Sequence, residues 1–133
     1  AQKKRLLYVA NLVNLTKDLN KRVAAYSGGM KRRLSLAIAL IQDPQILILD
    51  EPTVGIDPEL KLSIWKEFLR LKNEEQKTII VTTHVMDEAV KCDYVAMVRD
   101  GRILTSGTPN ELKALYGTDD FDEVFLKAGV KQS

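Results

Sequence analysis

The apolar segment at residues 45–49 restricts the possible folds of this chain more than any other feature. An Asp-Pro pair precedes it, and Asp50, Glu51 and a proline end it. A short, almost wholly apolar run between such breaks is typical of a strand that is buried on both faces of a parallel sheet. The sequence therefore predicts a central strand that delivers two adjacent carboxylates to the sheet edge where ligands of open α/β folds bind.

A second β-like run, residues 78–81, follows a helical pattern that begins at Asp57 and Pro58. Aspartate at the N-cap and proline at the first helical position are common helix starts. Strand, helix and strand in this order predict a right-handed parallel crossover. His84 follows the second run, so it is expected at the same sheet edge as the two acids.

Capping residues and apolar spacing predict the other elements of the chain. Asp100 and Gly101 lie between two β-like runs and are a strong signal for a two-residue hairpin turn. Thr108 and Gly117 are expected to cap the two ends of one helix. Further helices are predicted within residues 4–20, at residues 30–42 and, in the tail, at residues 121–127.

Composition limits the class of protein. With 133 residues, 45% of them apolar and 29% charged, the chain is expected to fold as one compact soluble unit. Its net charge of +2 is too small to indicate nucleic acid or an anionic membrane as a partner. The single cysteine excludes an internal disulfide, which fits the cytosol, and no apolar stretch approaches the roughly 20 residues that span a bilayer.

Asp50 and Glu51 have two interpretations. Asp50 is placed to hold Mg²⁺, directly or through a water, while Glu51 is placed to polarise a water that attacks a phosphoanhydride. Alternatively, both acids only cap the next turn. Because an apolar strand precedes the pair and Pro-Thr follows it, the catalytic interpretation is favoured.

Ser27, Gly28 and Gly29 offer a hydroxyl and backbone amides where a helix is predicted to begin. Unsatisfied N–H groups and the helix dipole favour an anion such as phosphate there. The basic residues 31–33 occupy the first turn, which the dipole disfavours, so a bound anion would help to explain them. Alternatively, Ser27 is an ordinary N-cap beside a solvated basic face, and the Ser-Gly-Gly run alone favours this simpler interpretation.

His84 and Asp57 also have two interpretations each. His84 could donate a hydrogen bond to a terminal phosphate, although a lone histidine is more often an ordinary surface residue. Its place after a strand, which matches the place of Asp50, argues for the phosphate role. Asp57 is either only the N-cap of the next helix or also a contact residue, and the two roles are compatible.

Taken together, these motifs resemble the ABC ATPase family from its signature motif onward. Residues 27–29 match the core of the LSGGQ signature, and residues 46–51 match the Walker B strand with its catalytic glutamate. Residues 54–57 match the D-loop, and residues 83–84 match the switch-histidine loop. Four motifs in the right order make a chance match very improbable.

The resemblance implies an α/β fold of the P-loop NTPase type, with a parallel sheet flanked by helices and a C-terminal β-hairpin. Tyr26 and Met30 depart from the signature, and the run YSGGMKRRLSLA is similar to the branch of drug, lipid and polysaccharide exporters. No G-x-x-x-x-G-K-S/T phosphate loop occurs, so the chain is expected to be a truncated domain without its first half. Residues 1–25 would end the helical subdomain, residues 26–115 would form the C-terminal half of the ATPase core, and residues 116–133 would form a tail.

In function, the resemblance implies the ATP-binding and ATP-hydrolysing subunit of an ABC exporter. It would power a separate transmembrane permease from the cytoplasmic side of the cell membrane, with ATP and Mg²⁺ as cofactors. Two such domains would pair head to tail, and residues 27–29 would grip the γ-phosphate held by the opposite subunit. Asp50, Glu51 and His84 would act on the nucleotide of their own subunit, while Asp57 would carry contact across the interface.

Two rival functions stay open at this point. One is a soluble ABC ATPase that acts on nucleic acid or ribosomes, for which the basic triplets at residues 3–5 and 31–33 give weak support. The other is a non-catalytic interaction module. This describes the fragment fairly but its parent protein poorly, because the candidate catalytic residues Glu51 and His84 are both retained. The fragment alone is expected to be inactive, because the lysine and amide nest of a phosphate loop are absent.

The implied loss of the phosphate-loop strand has a structural consequence. In the family, that strand lies between the strands equivalent to residues 78–81 and 94–98. Its removal leaves two inner strand edges without partners, and unpaired backbone groups on apolar strands are costly to bury. The chain is therefore expected either to re-pair these strands or to self-associate.

Overall fold

The computed structural model describes residues 2–13, 15, 17 and 28–132. Its helices are α1 (Gln2–Leu12), α2 (Gly28–Ile41), α3 (Pro58–Glu75), α4 (Met86–Ala89), α5 (Pro109–Tyr116) and α6 (Phe121–Gln132), and its strands are β1 (Ile46–Asp50), β2 (Thr78–Thr82), β3 (Val95–Arg99) and β4 (Arg102–Gly107). These elements form two compact units that divide between Thr82 and Thr83. The expectation of one compact unit is wrong, because α3 packs on β2 in the first unit while α5 and α6 pack on β4 in the second.

In the first unit, β1 and β2 are parallel neighbours in register, with Asp50 opposite Thr82 at their carboxyl ends. Helix α3 connects them, which confirms the predicted strand–helix–strand unit. Leu47 and Leu49 of β1 are only 3% and 7% exposed, whereas Ile48 between them is 73% exposed. The prediction of a strand buried on both faces is therefore wrong, because no element among the described residues covers the face that carries Ile48.

Helix α3 begins and ends as the sequence predicts. Asp57 is its N-cap and accepts a hydrogen bond from the backbone N–H of Leu60 at 3.4 Å, and Pro58 takes the first position. At the other end, Gln76 adopts a left-handed conformation with φ of 56° and donates its N–H to the carbonyl of Leu71. The apolar face of the helix is buried through Ile64, Trp65, Phe68 and Leu71.

Helices α1 and α2 pack together in the first unit. Arg5 of α1 donates to the carbonyl oxygens of Leu40 and Ile41 at 2.8 and 3.0 Å. These carbonyls belong to the last turn of α2, where helical partners run out. The Leu40 carbonyl also accepts from the N–H of Asp43 at 3.2 Å, so Arg5 adds to the hydrogen bonds at this helix end. The predicted helix at residues 30–42 is confirmed. The pattern predicted within residues 4–20 is a helix as far as Leu12, and residues 14, 16 and 18–20 lie outside the described part of the chain.

In the second unit, β3 and β4 form the predicted antiparallel hairpin. Asp100 and Gly101 at its turn both have positive φ, 52° and 73°, as a tight two-residue connection requires. Thr108 caps α5 by accepting from the N–H of Glu111 at 3.1 Å, and Gly117 ends that helix with φ of 65°, so both predicted caps are confirmed. The core of this unit consists of Ala89, Met97, Leu104, Leu112, Tyr116, Phe121, Val124 and Ala128.

Helix α6 continues to Gln132, beyond the predicted helix at residues 121–127. Val124 and Ala128 lie four residues apart on one helix face and are both 0% exposed. Burial of this face against the core extends the helix past the end that local sequence signals indicate. The tail thus belongs to the folded second unit.

The described strands form two separate sheets, β1 with β2 and β3 with β4. The expected re-pairing of residues 78–81 with 94–98 does not occur in these sheets, and self-association stays a prediction.

Within the part of the chain that the structure describes, no helix is both long and apolar enough to cross a membrane. The division into residues 1–25, 26–115 and 116–133 also stays a prediction, since it concerns the complete domain.

Candidate functional site

Asp50 and Thr82 meet at the carboxyl ends of β1 and β2. They are partners in the parallel register, and the Thr82 hydroxyl donates a hydrogen bond to Oδ1 of Asp50. Both residues are exposed. Sequence reasoning identified Asp50 but not Thr82. The available signal was a hydroxyl residue at the end of the strand predicted to lie beside the strand of the acids.

Glu51 has a backbone conformation that is uncommon outside glycine. Its φ is 43°, in the left-handed region, where a non-glycine residue is strained. Its N–H donates to the carbonyl of Thr82 at 2.8 Å, and its own carbonyl accepts from Nη1 of Arg32 at 2.9 Å. Val54 also donates its N–H to this carbonyl at 3.4 Å. The peptide groups of Glu51 are thus held by both β2 and α2.

The turn after Glu51 leads to Asp57. Thr53 is 2% exposed, and its carbonyl accepts from the N–H of Ile56 at 3.2 Å. Gly55 has φ of 77°, a value that glycine adopts without strain. These features close a compact turn between β1 and α3. The N-cap role of Asp57 is confirmed, and its proposed role as a contact residue stays a prediction.

The predicted anion site at the start of α2 is only partly described. Gly28 and Gly29 are the first two residues of the helix, so α2 begins two residues before the predicted start at Met30, and Ser27 lies outside the described residues. The first turn of α2 contains no acidic residue. Arg32, the middle residue of the basic triplet, donates to the carbonyl of Glu51. Sequence reasoning noted its charge but missed this partner, because the contact spans 19 positions of the chain.

An open pocket of about 510 Å³ lies between α2 and the carboxyl end of β1. Its lining combines cationic and hydroxyl side chains of α2 with apolar side chains and with the carboxylate at the end of the strand. The lining residues are Lys31, Arg32, Ser35, Leu36, Ala39, Ile48, Leu49, Asp50 and Pro52. The basic triplet and Asp50 therefore share one surface of the first unit.

His84 lies in the second unit, two residues after Thr82, and is exposed. Thr83 organises its turn: the Thr83 Oγ1 accepts from the N–H of Val85 at 3.0 Å and is 3.5 Å from Oε1 of Glu88. Glu88 is 3% exposed and belongs to α4, so the turn is joined to the helix that follows. The predicted meeting of His84 with Asp50 and Glu51 stays a prediction.

The donor atoms at the end of β1 and β2 suit a hard cation. Mg²⁺ prefers oxygen ligands and is usually held by one or two carboxylates together with phosphate oxygens and waters. The exposed carboxylate of Asp50 and the neighbouring Thr82 hydroxyl fit that donor set. Residues 2–13, 15, 17 and 28–132 contain no group of three or more His, Cys, Asp or Glu side chains that could hold a metal ion.

Comparison with known proteins agrees with these motifs. A family model described as ABC transporter matches residues 1–54, which include the two glycines at the start of α2 and the strand of the acids. Nod factor export ATP-binding protein I of Rhizobium johnstonii is 52% identical over 99 residues, 74% of this chain. ABC transporter G family member 20 of Dictyostelium discoideum is 47% identical over 119 residues, 90% of this chain. The chain belongs to the ABC transporter family.

Solved structures show the same ABC-type fold. The ATP-binding subunit of an ABC transporter superimposes with a TM-score of 0.86 over 96% of this chain at 24% identity, and the match covers 54% of that subunit. A dimeric ATP-binding cassette, in a post-hydrolysis state with ADP and Pi, superimposes with a TM-score of 0.74 over 80% of this chain at 27% identity, covering 46% of its own length. The predicted α/β fold of an ABC ATPase domain is confirmed.

The chain spans only part of its ABC relatives. The matched region is 32% of the Rhizobium protein and 16% of the Dictyostelium protein. The recognition of the family from the signature and Walker B segments is confirmed. The roles of individual residues in binding and hydrolysis stay predictions.

Proposed function

We propose that the full-length protein carrying this chain is an ATP-binding and ATP-hydrolysing subunit of an ABC exporter, which powers transport through a separate membrane domain. The observation that carries the proposal is the placement of Asp50 and Glu51 at the carboxyl end of β1, beside the strand that leads to His84. A relative named for Nod factor export supports an export role. The relatives named above are transporters, so the nucleic-acid alternative gains no support.

In this proposal, Asp50 binds Mg²⁺ and Glu51 orients the attacking water. The cation would neutralise the charge of the phosphates when ATP is bound. The Thr82 hydroxyl keeps the Asp50 carboxylate in one orientation. Hydrogen bonds to both peptide groups of Glu51 hold its backbone in place, which limits the positions that its side chain can reach. Glu51 accepts the proton of the water as it attacks the terminal phosphate.

The other predicted residues act on phosphates or on a second copy of the domain. His84 donates a hydrogen bond to the terminal phosphate, and Asp57 contributes to the interface between two domains. Ser27, Gly28 and Gly29 bind the γ-phosphate that the opposite domain holds. A structural relative that is a dimer with ADP and Pi supports this arrangement. The pair of domains would bind a transmembrane permease at the cytoplasmic side of the membrane.

The test is Glu51→Gln in the full-length protein, with Glu59→Gln as a matched control at an exposed glutamate of α3. The amide fills the same space as the carboxylate but cannot act as a base. We expect Glu51→Gln to keep ATP binding, to lose turnover and to accumulate an ATP-bound dimer, while Glu59→Gln behaves as wild type. Wild-type turnover by Glu51→Gln would overturn the assignment. His84→Ala is expected to be similarly inactive.

A further inference from the structure

We propose that Arg32 is a positioning residue for Glu51, and that it joins the start of α2 to the turn that follows β1. The inference rests on the proposed function, because Glu51 matters here as the residue that orients the attacking water. It adds a residue for which the sequence motifs indicated no such role. The geometry behind it is a side-chain hydrogen bond from α2 to the turn that follows β1.

The contact lies near the N-terminal end of α2. Arg32 follows Gly28 by four residues, about one helical turn, so it lies on the same side of the helix as the first glycine. Its Nη1 is 2.9 Å from the carbonyl oxygen of Glu51. A charged donor makes a stronger hydrogen bond to a carbonyl than a neutral donor does.

Glu51 needs such a contact because of its conformation. A φ of 43° is costly for a residue with a side chain and persists only where the surroundings hold it. Arg32 approaches the carbonyl of Glu51 at 2.9 Å, closer than Val54 at 3.4 Å. Val54 belongs to the turn itself, whereas Arg32 belongs to α2. Arg32 therefore ties the strained residue to a separate element.

The electrostatics explain why an arginine is tolerated at this position. The helix dipole disfavours a cation in the first turns, and the first turn of α2 contains no acidic residue to offset it. The Glu51 carbonyl supplies an acceptor for the guanidinium, and Asp50 lines the same pocket as Arg32. The acidic end of β1 thus offsets the unfavourable interaction between the guanidinium of Arg32 and the helix dipole.

The consequence is a mechanical link within one domain. Gly28 and Gly29 lie at the start of α2. Together with Ser27 they are proposed to bind the nucleotide of the opposite domain, while Glu51 acts on the nucleotide of its own. A shift of the α2 start toward or away from β1 would move the carbonyl of Glu51 through Arg32. Closure around one nucleotide would in this way set the position of Glu51 at the other.

The first experiment compares Arg32→Met, which removes the donor at similar length, with Arg32→Lys, which keeps a cationic donor. Lys66→Met, at an exposed lysine of α3, is the matched control. In the full-length protein we expect Arg32→Met to lower kcat about tenfold while KM for ATP changes less than about twofold. Arg32→Lys should recover most of kcat, and Lys66→Met should equal wild type. Wild-type kcat in Arg32→Met, or an equal loss in Arg32→Lys, would overturn the proposal.

A second measurement does not depend on turnover. Amide hydrogen exchange of Glu51 and Val54 in the full-length protein should be about tenfold faster in Arg32→Met than in wild type, because the turn opens more often without its tie. Exchange should stay slow in Arg32→Lys and in Lys66→Met. Unchanged exchange in Arg32→Met would overturn the tie even if ATP hydrolysis were detected. If Arg32→Met speeds up amide exchange but the wild-type protein does not hydrolyse ATP, the proposed function is wrong while the role of the Arg32–Glu51 hydrogen bond in holding the turn is supported.

Discussion

The ammonium group of Lys77 lies 2.6 Å from Oδ1 of Asp43, at the end of the sheet opposite to the acidic site. Lys77 is 8% exposed and also donates to the carbonyl of Pro44 at 2.9 Å. Arg5 approaches the same carboxylate at 3.2 Å. The hydrogen bond from Lys77, reinforced by the charge of Arg5, holds the pKa of Asp43 below its ordinary value. This contact joins the turn before β1 to the residue that precedes β2.

The first prediction is an acid-dependent stability that Asp43 controls. Because folding lowers the pKa of Asp43, its contribution is present above the unfolded-state pKa of about 3.9 and is lost as pH falls through the folded-state pKa. We expect the free energy of unfolding of wild type to fall more steeply below about pH 4 than that of Asp43→Asn. Urea unfolding at several pH values measures this. Asp119→Asn, at an exposed residue of the second unit, should keep the wild-type slope.

The second prediction concerns the hydroxyl beside Asp50. Thr82→Val keeps a β-branched strand residue but removes the donor to Oδ1 of Asp50. We expect the Mg²⁺ concentration for half-maximal ATP hydrolysis by the full-length protein to rise about tenfold, as when a ligand loses the group that orients it. Thr82→Ser retains the donor and should show the wild-type Mg²⁺ dependence. Identical Mg²⁺ dependence in Thr82→Val would show that the hydroxyl does not orient the carboxylate.

The third prediction is that the 133-residue chain alone does not bind ATP with micromolar affinity and does not hydrolyse it. The reason is chemical: its sequence contains no phosphate-loop lysine and no glycine-rich amide nest to neutralise the phosphates. Calorimetry with ATP and Mg²⁺ measures the affinity, and the full-length protein serves as the positive control. Micromolar binding by the chain alone would contradict the prediction.

The fourth prediction is that this chain self-associates. Ile46, Ile48 and Ile80 lie on the uncovered face of the β1–β2 sheet and are 55%, 73% and 49% exposed. Parallel sheets are almost always covered on both faces, and exposed apolar patches of this kind promote association. Sedimentation should show concentration-dependent oligomers, and Ile48→Lys should shift them toward the monomer. Leu62→Lys, at a 56% exposed leucine of α3, should not. A wild-type chain that stays monomeric at all concentrations would refute the idea.

The sequence by itself determined the features that depend on neighbouring residues. Asp57 and Gly117 mark helix ends, and Asp100 with Gly101 marks the hairpin, because caps and tight turns depend on the chemistry of a few consecutive positions. The order of strand, helix and strand also determined the parallel pairing of β1 with β2. Four short motifs in the right order, at residues 27–29, 46–51, 54–57 and 83–84, were sufficient to recognise the family.

Only the tertiary structure decided which distant side chains meet and which faces are covered. Arg32 and Glu51 are 19 positions apart, and Tyr8, which donates to Glu67 at 2.8 Å, is 59 positions away from it. No periodicity or capping rule links such positions, because the contact depends on how helices pack against strands. The exposure of Ile48 has the same origin: an apolar strand residue is buried only when another element packs on its face, and local sequence cannot specify that element.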